Sequence, residues 1–312
     1  MKVLVTSPAH ESLVTQLAEA GCDVVYAPAI TYDQLSEVIQ DAQGLIVTTR
    51  ITIDRALLDK ATALRWIGRL GSGMELIDEA YAEAKGVVCI STPEGNRNAV
   101  AEHTLALALD LMNHVSRSFR QVCQGEWLRN ENRATELTGK TVGIYGYGNT
   151  GAAFARLLQP FHVTVLAYDK YKTGFATGYV HESDPDEIFM KADLVSMHLP
   201  LTQETFHLAN HDFFSAFRRR PYYISTCRGP VTDTAALVAA LQHGQVAAAG
   251  LDVLENENIS QLAPGDKQLL DTLCAMDNVV ITPHVAGYSF EAYQRMADVL
   301  IVKLRAYNFL NG

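Results

Sequence analysis

The stretch GIYGYGNTG, Gly143 to Gly151, sets glycines at Gly146, Gly148 and Gly151 directly before AAFARLLQPF, a run with helical periodicity. Glycine weakens a helix by about 1 kcal/mol relative to alanine, so glycines where a helix starts need a reason. The residues TVGIYGYG read as a buried β-strand ending in a tight turn. A helix opening near Asn149 presents unpaired N–H groups and the positive end of its dipole. A pyrophosphate satisfies both. Gly146 then makes the turn, Gly148 lets the backbone approach the phosphates, and Gly151 lets the helix pack on the strand. Asn149 and Thr150 supply the first helical amides of such a site.

A glycine turn by itself is equally compatible with a purely structural loop; here the flanking pattern decides. A second strand, VTVLAYD, follows the helix and ends in Asp169, which is 18 residues past Gly151. An acid at that distance accepts hydrogen bonds from both ribose hydroxyls of a dinucleotide. It also repels a 2′-phosphate, so NAD is favoured over NADP as cofactor. Lys170 beside it offsets that preference slightly.

The same alternation of strand and helix runs through the whole chain. KVLVT, DVVYA, GLIVT, RWIGRL and VVCIS fall in the first hundred residues; TVGIYGYG, VTVLAYD, GYVHE, LVSMHLP, YYISTCRG, AAAGLDVL and NVVITP come later. Nearly continuous apolar runs suit strands covered by helices on both faces. Two such sets predict two α/β units, each a doubly wound parallel sheet. A length of 312 residues accommodates two ordinary domains. The segment NAVAEHTLALALDLMNHVSRSFRQVCQG reads as one long helix, with Leu105, Leu107, Leu109 and Leu111 on several faces, so it is expected to be covered on more than one side.

Charge and cysteine usage narrow the partners. The formal net charge of -10 disfavours a nucleic acid or an anionic membrane surface. No stretch approaches the roughly 18 uninterrupted apolar residues of a membrane span. MKVLVTSPAH reads as a first strand rather than a signal peptide. The five cysteines, Cys22, Cys89, Cys123, Cys227 and Cys274, contain no CxxC pair. Free thiols in a reducing cytoplasm and no metal site are the expectation.

Ligands of doubly wound sheets lie at the carboxyl ends of the strands, and the polar residues there are few. LVSMHLP offers His198, YYISTCRG offers Arg228, GLDVLENEN offers Asp252, Glu255 and Glu257, and NVVITPH offers His284. Arg228 is either a surface residue capping the sheet or a planar fork for a carboxylate. A histidine such as His284 beside a carboxylate is a general acid–base near neutral pH. His198 lies within the strand pattern and is read as a core residue; the other eight histidines carry no assignment.

Taken together, RLGSGMELID, STPEGNRNAVAEHTLALAL, GIYGYGNTG, MHLPLTQET, STCRGPV, GLDVLENEN and ITPHVAG resemble the D-isomer-specific 2-hydroxyacid dehydrogenases, in their phosphoglycerate dehydrogenase-like branch, across nearly the whole chain. The resemblance implies a Rossmann cofactor domain, 99–284, inserted in a discontinuous flavodoxin-like substrate domain, 1–98 plus 285–312. It implies that Arg228 holds the substrate carboxylate and carbonyl oxygen, that His284 is the proton donor and acceptor, and that Glu257 supports it. Ser72 and Gly73 match a carboxylate-binding backbone nest, with Asn96 at the cleft between domains. Thr205, Thr226, Cys227 and Asp252 match cofactor-contacting positions, Asp252 near the nicotinamide carboxamide. Glu255 is read as a solvated charge. The helix from Ala99 resembles a dimerisation arm and implies a homodimer. The implied reaction moves a hydride between NAD and C2 of a D-2-hydroxy acid, 3-phosphoglycerate among the candidates. A non-catalytic NAD-sensing scaffold, like the corepressors of this fold, is the alternative; a formate dehydrogenase relative is disfavoured by Glu257, where that branch has glutamine. The chain departs from the pattern at Glu75 and Leu76, Ser225 and Asn258, and at Thr48, where phosphate-handling relatives often carry arginine. Arg50 and Arg129 are the other candidates for meeting a phosphate. The sequence ends at Gly312, before the C-terminal regulatory domains of longer relatives.

Overall fold

The computed structural model describes residues 1–310. It divides into two compact units, Met1–Arg97 with the segment from Gly287 onward, and Asn98–Ala286. In the first unit the order is β1 (Lys2–Val5), α1 (Glu11–Glu19), β2 (Asp23–Tyr26), α2 (Tyr32–Val38), β3 (Gly44–Val47), α3 (Arg55–Lys60), β4 (Trp66–Arg69), α4 (Glu79–Ala84) and β5 (Val88–Ser91). Helix α5 (Pro93–Asn113) leads from the first unit into the second, and α6 (Val115–Cys123) follows it. The second unit continues with β6 (Thr141–Tyr145), α7 (Asn149–Leu158), β7 (Thr164–Tyr168), β8 (Val180–Glu182), α8 (Pro185–Lys191), β9 (Leu194–Met197) and α9 (His211–Ala216). It ends with β10 (Tyr222–Ser225), α10 (Thr234–Gln242), β11 (Ala248–Leu251), α11 (Pro264–Ala275) and β12 (Val279–Ile281), and α12 (Phe290–Ala306) returns to the first unit.

Both sheets are parallel throughout. The first runs β2-β1-β3-β4-β5, the flavodoxin-like order, and the second β12-β11-β10-β9-β6-β7-β8, the Rossmann order extended by one strand. The central strands are buried along their whole length, β3, β4, β9 and β11 among them. That explains their unbroken apolar sequences: with helices on both faces, no position faces water. In the first unit, Leu13 and Leu17 of α1 and Met296, Leu300 and Ile301 of α12 close one core over Val3, Val5 and Trp66. In the second, Leu107, Ala108 and Leu111 of α5 and Phe154 and Leu158 of α7 pack on Val142, Ile144 and Val165. Such apolar burial, at about 25 cal/mol per Å², is the main force holding each unit together.

The expected single long helix is in fact two. His114 takes a left-handed conformation (φ 54°) between α5 and α6. The carboxylate of Asp110, in the last turn of α5, accepts from both the backbone N–H and the hydroxyl of Ser116, each at 2.6 Å. This capping of a new helix start outweighs continuation of the old one. Helix α5 also begins earlier than the apolar run suggests, at Pro93, where a proline fits a first turn without loss.

Candidate active site

The glycine turn has the structure its sequence implies. Gly146 has φ 92°, and a Cβ there would lie 2.4 Å from the carbonyl oxygen of His198. At Gly151 a Cβ would lie 2.1 Å from the carbonyl oxygen of Gly146, so α7 rests on the strand turn itself. Gly148 is different: a Cβ there would meet no protein atom within 4 Å. Nothing in the fold requires glycine at 148, whereas close passage of a phosphate along the backbone does. Most helices here open on a side chain that accepts from their first-turn amides, as Asp54 does for α3 and Asp233 for α10; α7 opens on Gly148 with no such cap. Helices α6 and α11 also open without a cap from the side chain just before them, but only at α7 does this coincide with a glycine turn at a strand end, an arrangement suited to an anion.

Asp169 lies one residue past β7, where the backbone N–H groups of Tyr147 and Tyr171 donate to its two oxygens at 2.9 and 3.0 Å. This fixes the carboxylate beside the glycine turn and leaves lone pairs for ribose hydroxyls. Lys170 turns to Glu204, at 2.8 Å, and Tyr171 donates to the same oxygen. These features fit a dinucleotide. Asn149 is exposed at the start of α7, and the Thr150 hydroxyl meets His198 Nδ1 at 3.2 Å. Thr205 closes its own turn by donating to the Pro200 carbonyl, Thr226 meets the Thr104 hydroxyl at 3.1 Å, and Cys227 is buried.

At the carboxyl edge of the same sheet, three strand ends carry the proposed acid–base group. His284 follows β12 in a left-handed conformation (φ 56°), which costs a non-glycine residue energy and persists only where the surroundings hold it. Asp252, after β11, does so. Its backbone carbonyl accepts from His284 N–H at 2.8 Å. Its carboxylate accepts from the Thr282 hydroxyl at 2.6 Å and from the N–H groups of Val285 and Ala286 at 2.9 and 2.8 Å. His103 of α5 reaches the same network, 2.9 Å from Thr282 Oγ1 and 3.5 Å from Asp252. Both Asp252 oxygens thus serve the His284 loop, a role not foreseen from its expected place beside a cofactor. His103 had no assignment, since one histidine in a helix gives no sign of a partner 149 residues away.

His284 Nδ1 lies 2.9 Å from both oxygens of Glu257. Burial pushes the Glu257 carboxyl up. The hydrogen bond and charge of His284, the Leu254 N–H and the charge of Arg228 outweigh it and hold the group below the usual carboxylate range. The imidazole therefore faces an ionised carboxylate through Nδ1, and Nε2 remains to meet a substrate. Arg228, after β10, is braced by donating to the Cys227 carbonyl at 2.6 Å. Arg228, Glu257 and His284 are brought to one sheet edge.

His198 is the counterexample. It is buried, its ring nitrogens meet Ser196 Oγ and Thr150 Oγ1, and burial lowers its pKa to about 3. Glu255 departs from its reading as a solvated charge: it lies 2.6 Å from His207 Nε2 and accepts from Thr234 N–H at 2.7 Å. In the first unit, Ser72 Oγ donates to Asn96 Oδ1 at 3.1 Å, with Gly73 next in the same loop. Arg50 donates to the Pro28 and Ile30 carbonyls at 2.6 and 2.9 Å. All five cysteines are free. Among the described residues there is no metal-binding cluster, and no helix is long and apolar enough to cross a membrane.

Comparison with known proteins identifies the family. Residues 105–286 match the family model described as D-isomer specific 2-hydroxyacid dehydrogenase, NAD binding domain. The chain is 35% identical over 309 residues to a glyoxylate reductase of Thermofilum pendens, covering 96% of this chain and 88% of that one. It is 32% identical over 306 residues to a D-3-phosphoglycerate dehydrogenase of Methanocaldococcus jannaschii, covering 97% of this chain but 56% of the relative, so it spans about half the length of that enzyme. A D-lactate dehydrogenase from Aquifex aeolicus, solved with NAD and lactic acid, matches with a TM-score of 0.83 at 28% identity over 99% of this chain and 96% of that one. An NADPH-dependent glyoxylate/hydroxypyruvate reductase from Sinorhizobium meliloti, solved with NADP and malonate, matches with a TM-score of 0.79 at 27% identity over 98% of this chain and 93% of that one. By its match to the family model and to full-length relatives, the chain belongs to the D-isomer-specific 2-hydroxyacid dehydrogenases.

Proposed function

We propose that this protein is an NAD-dependent dehydrogenase that interconverts a small D-2-hydroxy acid and its 2-keto acid. The observation that carries the reading is the His284–Glu257 contact, with the charge of Arg228 acting on it, at the edge of the sheet that bears the glycine turn. A nicotinamide coenzyme held by the glycine turn and Asp169 supplies the hydride acceptor. His284 Nε2 takes the hydroxyl proton as C2 is oxidised, and Glu257 stabilises the imidazolium that forms. Arg228 binds the substrate carboxylate and carbonyl oxygen with its fork. In keto-acid reduction His284 starts protonated and returns the proton to the new alkoxide.

In the first unit, the Ser72–Gly73 backbone, steadied by Asn96, is the proposed nest for a carboxylate. The sequence from Met1 to Arg97 with α12 is the proposed substrate domain. Candidate substrates follow the names of the relatives: glyoxylate, hydroxypyruvate, pyruvate and 3-phosphohydroxypyruvate. NAD is preferred over NADP because Asp169 is fixed as an acceptor and Lys170 is already paired with Glu204. A homodimer through α6 is supported by Val115, Phe119 and Val122, a stripe 51–69% exposed, and by Trp127, 77% exposed. Free thiols suit a reducing cytoplasm. A non-catalytic scaffold is the weaker reading, since the acid–base pair and the arginine are all in place. The test is NADH and NADPH oxidation in parallel against the four keto acids. Turnover of at least one, faster with NADH, is expected; no turnover of any by protein that binds NADH would refute the reading.

A further inference from the structure

We propose that His207 and Glu255 are a positioning pair that locks together the loops carrying Arg228 and Glu257. This rests on the function proposed above and adds to it two residues that touch no reacting atom. Three loops leave the carboxyl edge of the second sheet after β9, β10 and β11. The first carries His207, the second Arg228, the third Glu255 and Glu257. Glu255 joins all three. One oxygen lies 2.6 Å from His207 Nε2, and the other accepts from Thr234 N–H at 2.7 Å, at the end of the Arg228 loop. His207 N–H in turn donates to the Pro230 carbonyl at 2.8 Å.

Three details support an arrangement that is held rather than incidental. His207 is in the left-handed region (φ 49°), an uncommon conformation for a non-glycine residue. Its ring stacks on Phe206, with centroids 4.1 Å apart, which favours the rotamer that meets Glu255. At Gly229, next to Arg228, a Cβ would lie 1.8 Å from the Leu254 carbonyl oxygen; the two loops touch backbone to backbone. Asp233 also faces His207, with Oδ2 at 3.9 Å from Nδ1, while its Oδ1 accepts from Ala236 N–H and caps α10. Glu257 is two residues beyond Glu255, and Arg228 is one residue before Gly229. Releasing the clamp lets both drift relative to His284.

The experiment compares wild type with Glu255→Ala, His207→Ala, the double variant and Glu255→Gln. It uses the keto acid that wild type reduces fastest and records kcat, KM, the pH profile, NADH affinity and Tm. Each alanine variant is expected to lose about 10- to 100-fold in kcat, the scale of an ångström-sized misplacement, while NADH affinity holds. The double variant should lose no more than the worse single, within about 2-fold, because both act through one contact. Glutamine should restore most of kcat, since its amide oxygen still accepts from Thr234 N–H while its amide N–H donates to His207 Nε2 once the ring carries its proton on Nδ1. In the alanine variants the limb of keto-acid reduction governed by the imidazole should move to lower pH, as Glu257 leaves His284. If the alanine variants do not fold, Glu255→Asp, too short by one methylene to span both partners, carries the same expectations. Folded variants with kcat near wild type, an unmoved limb, or losses that multiply would overturn the pair. An inactive wild type overturns the proposed function itself, which separates the two failures.

Discussion

Two histidines stand just past strands of one sheet, and their neighbours give them opposite chemistry. His198, after β9, is enclosed between Ser196 and Thr150, and its pKa falls to about 3. His284, after β12, is partly exposed and faces the Glu257 carboxylate. Position at the carboxyl edge brings a side chain to the ligand side, but it does not make an acid. Hydroxyl partners and burial hold a ring neutral, as a fixed hydrogen-bonding dipole. A carboxylate partner and access to solvent suit the acid–base role proposed for the other ring.

Exchange of roles on mutation should follow that contrast, and the largest effect belongs to His284. His284→Ala should lower kcat by about 10²–10⁴-fold in steady-state NADH oxidation, with NADH binding retained. His284 remaining dispensable would break the comparison at once. Next is Glu257→Gln, expected to cost about 10- to 100-fold in kcat and to move the imidazole-governed limb of reduction to lower pH. A kinetic loss without that movement would mean that Glu257 serves the fold and not the histidine.

How much of this was legible beforehand depends on the range of the interactions involved. The strands were readable because burial on both faces leaves continuous apolar runs such as LVSM and AAGL. Arg228 and His284 were legible as polar residues close behind such runs, whereas Glu257 was told apart from Glu255 only by the family resemblance. The break at His114 was not legible, since the cap joining Asp110 to Ser116 involves no glycine or proline. The engagement of Glu255 was hidden for a similar reason: its partner His207 lies 48 residues away in a loop without periodic pattern. Asp252 was legible as a polar residue in the right place, but the loop it holds was not.

The glycine turn offers a contrast of intermediate size. Gly146→Ala should lower Tm and activity together, because φ 92° and the His198 carbonyl leave no room for a methyl group. Gly148→Ala should leave Tm nearly unchanged and weaken NADH binding, read by coenzyme fluorescence titration. Equal loss of Tm in both variants would refute the distinction between a glycine kept for the fold and one kept for a ligand.

The smallest catalytic effect is expected at His198. A histidine whose folded pKa lies below its unfolded value of roughly 6.5 takes up protons on unfolding. Stability is then fully present above that value and is lost as pH falls toward about 3. His198→Asn should therefore flatten the fall of Tm between those limits while kcat changes little. An unchanged slope would show that the ring is solvated in the folded protein.

The central claim is that one imidazole, held by Glu257, both takes and gives the substrate proton. The direct measurement is kcat/KM against pH in both directions, 2-keto acid reduction with NADH and 2-hydroxy acid oxidation with NAD. The account predicts that reduction declines with rising pH over the same interval in which oxidation increases, and that Glu257→Gln displaces both limbs together to lower pH. Profiles that are flat, or that run parallel in the two directions, would contradict it.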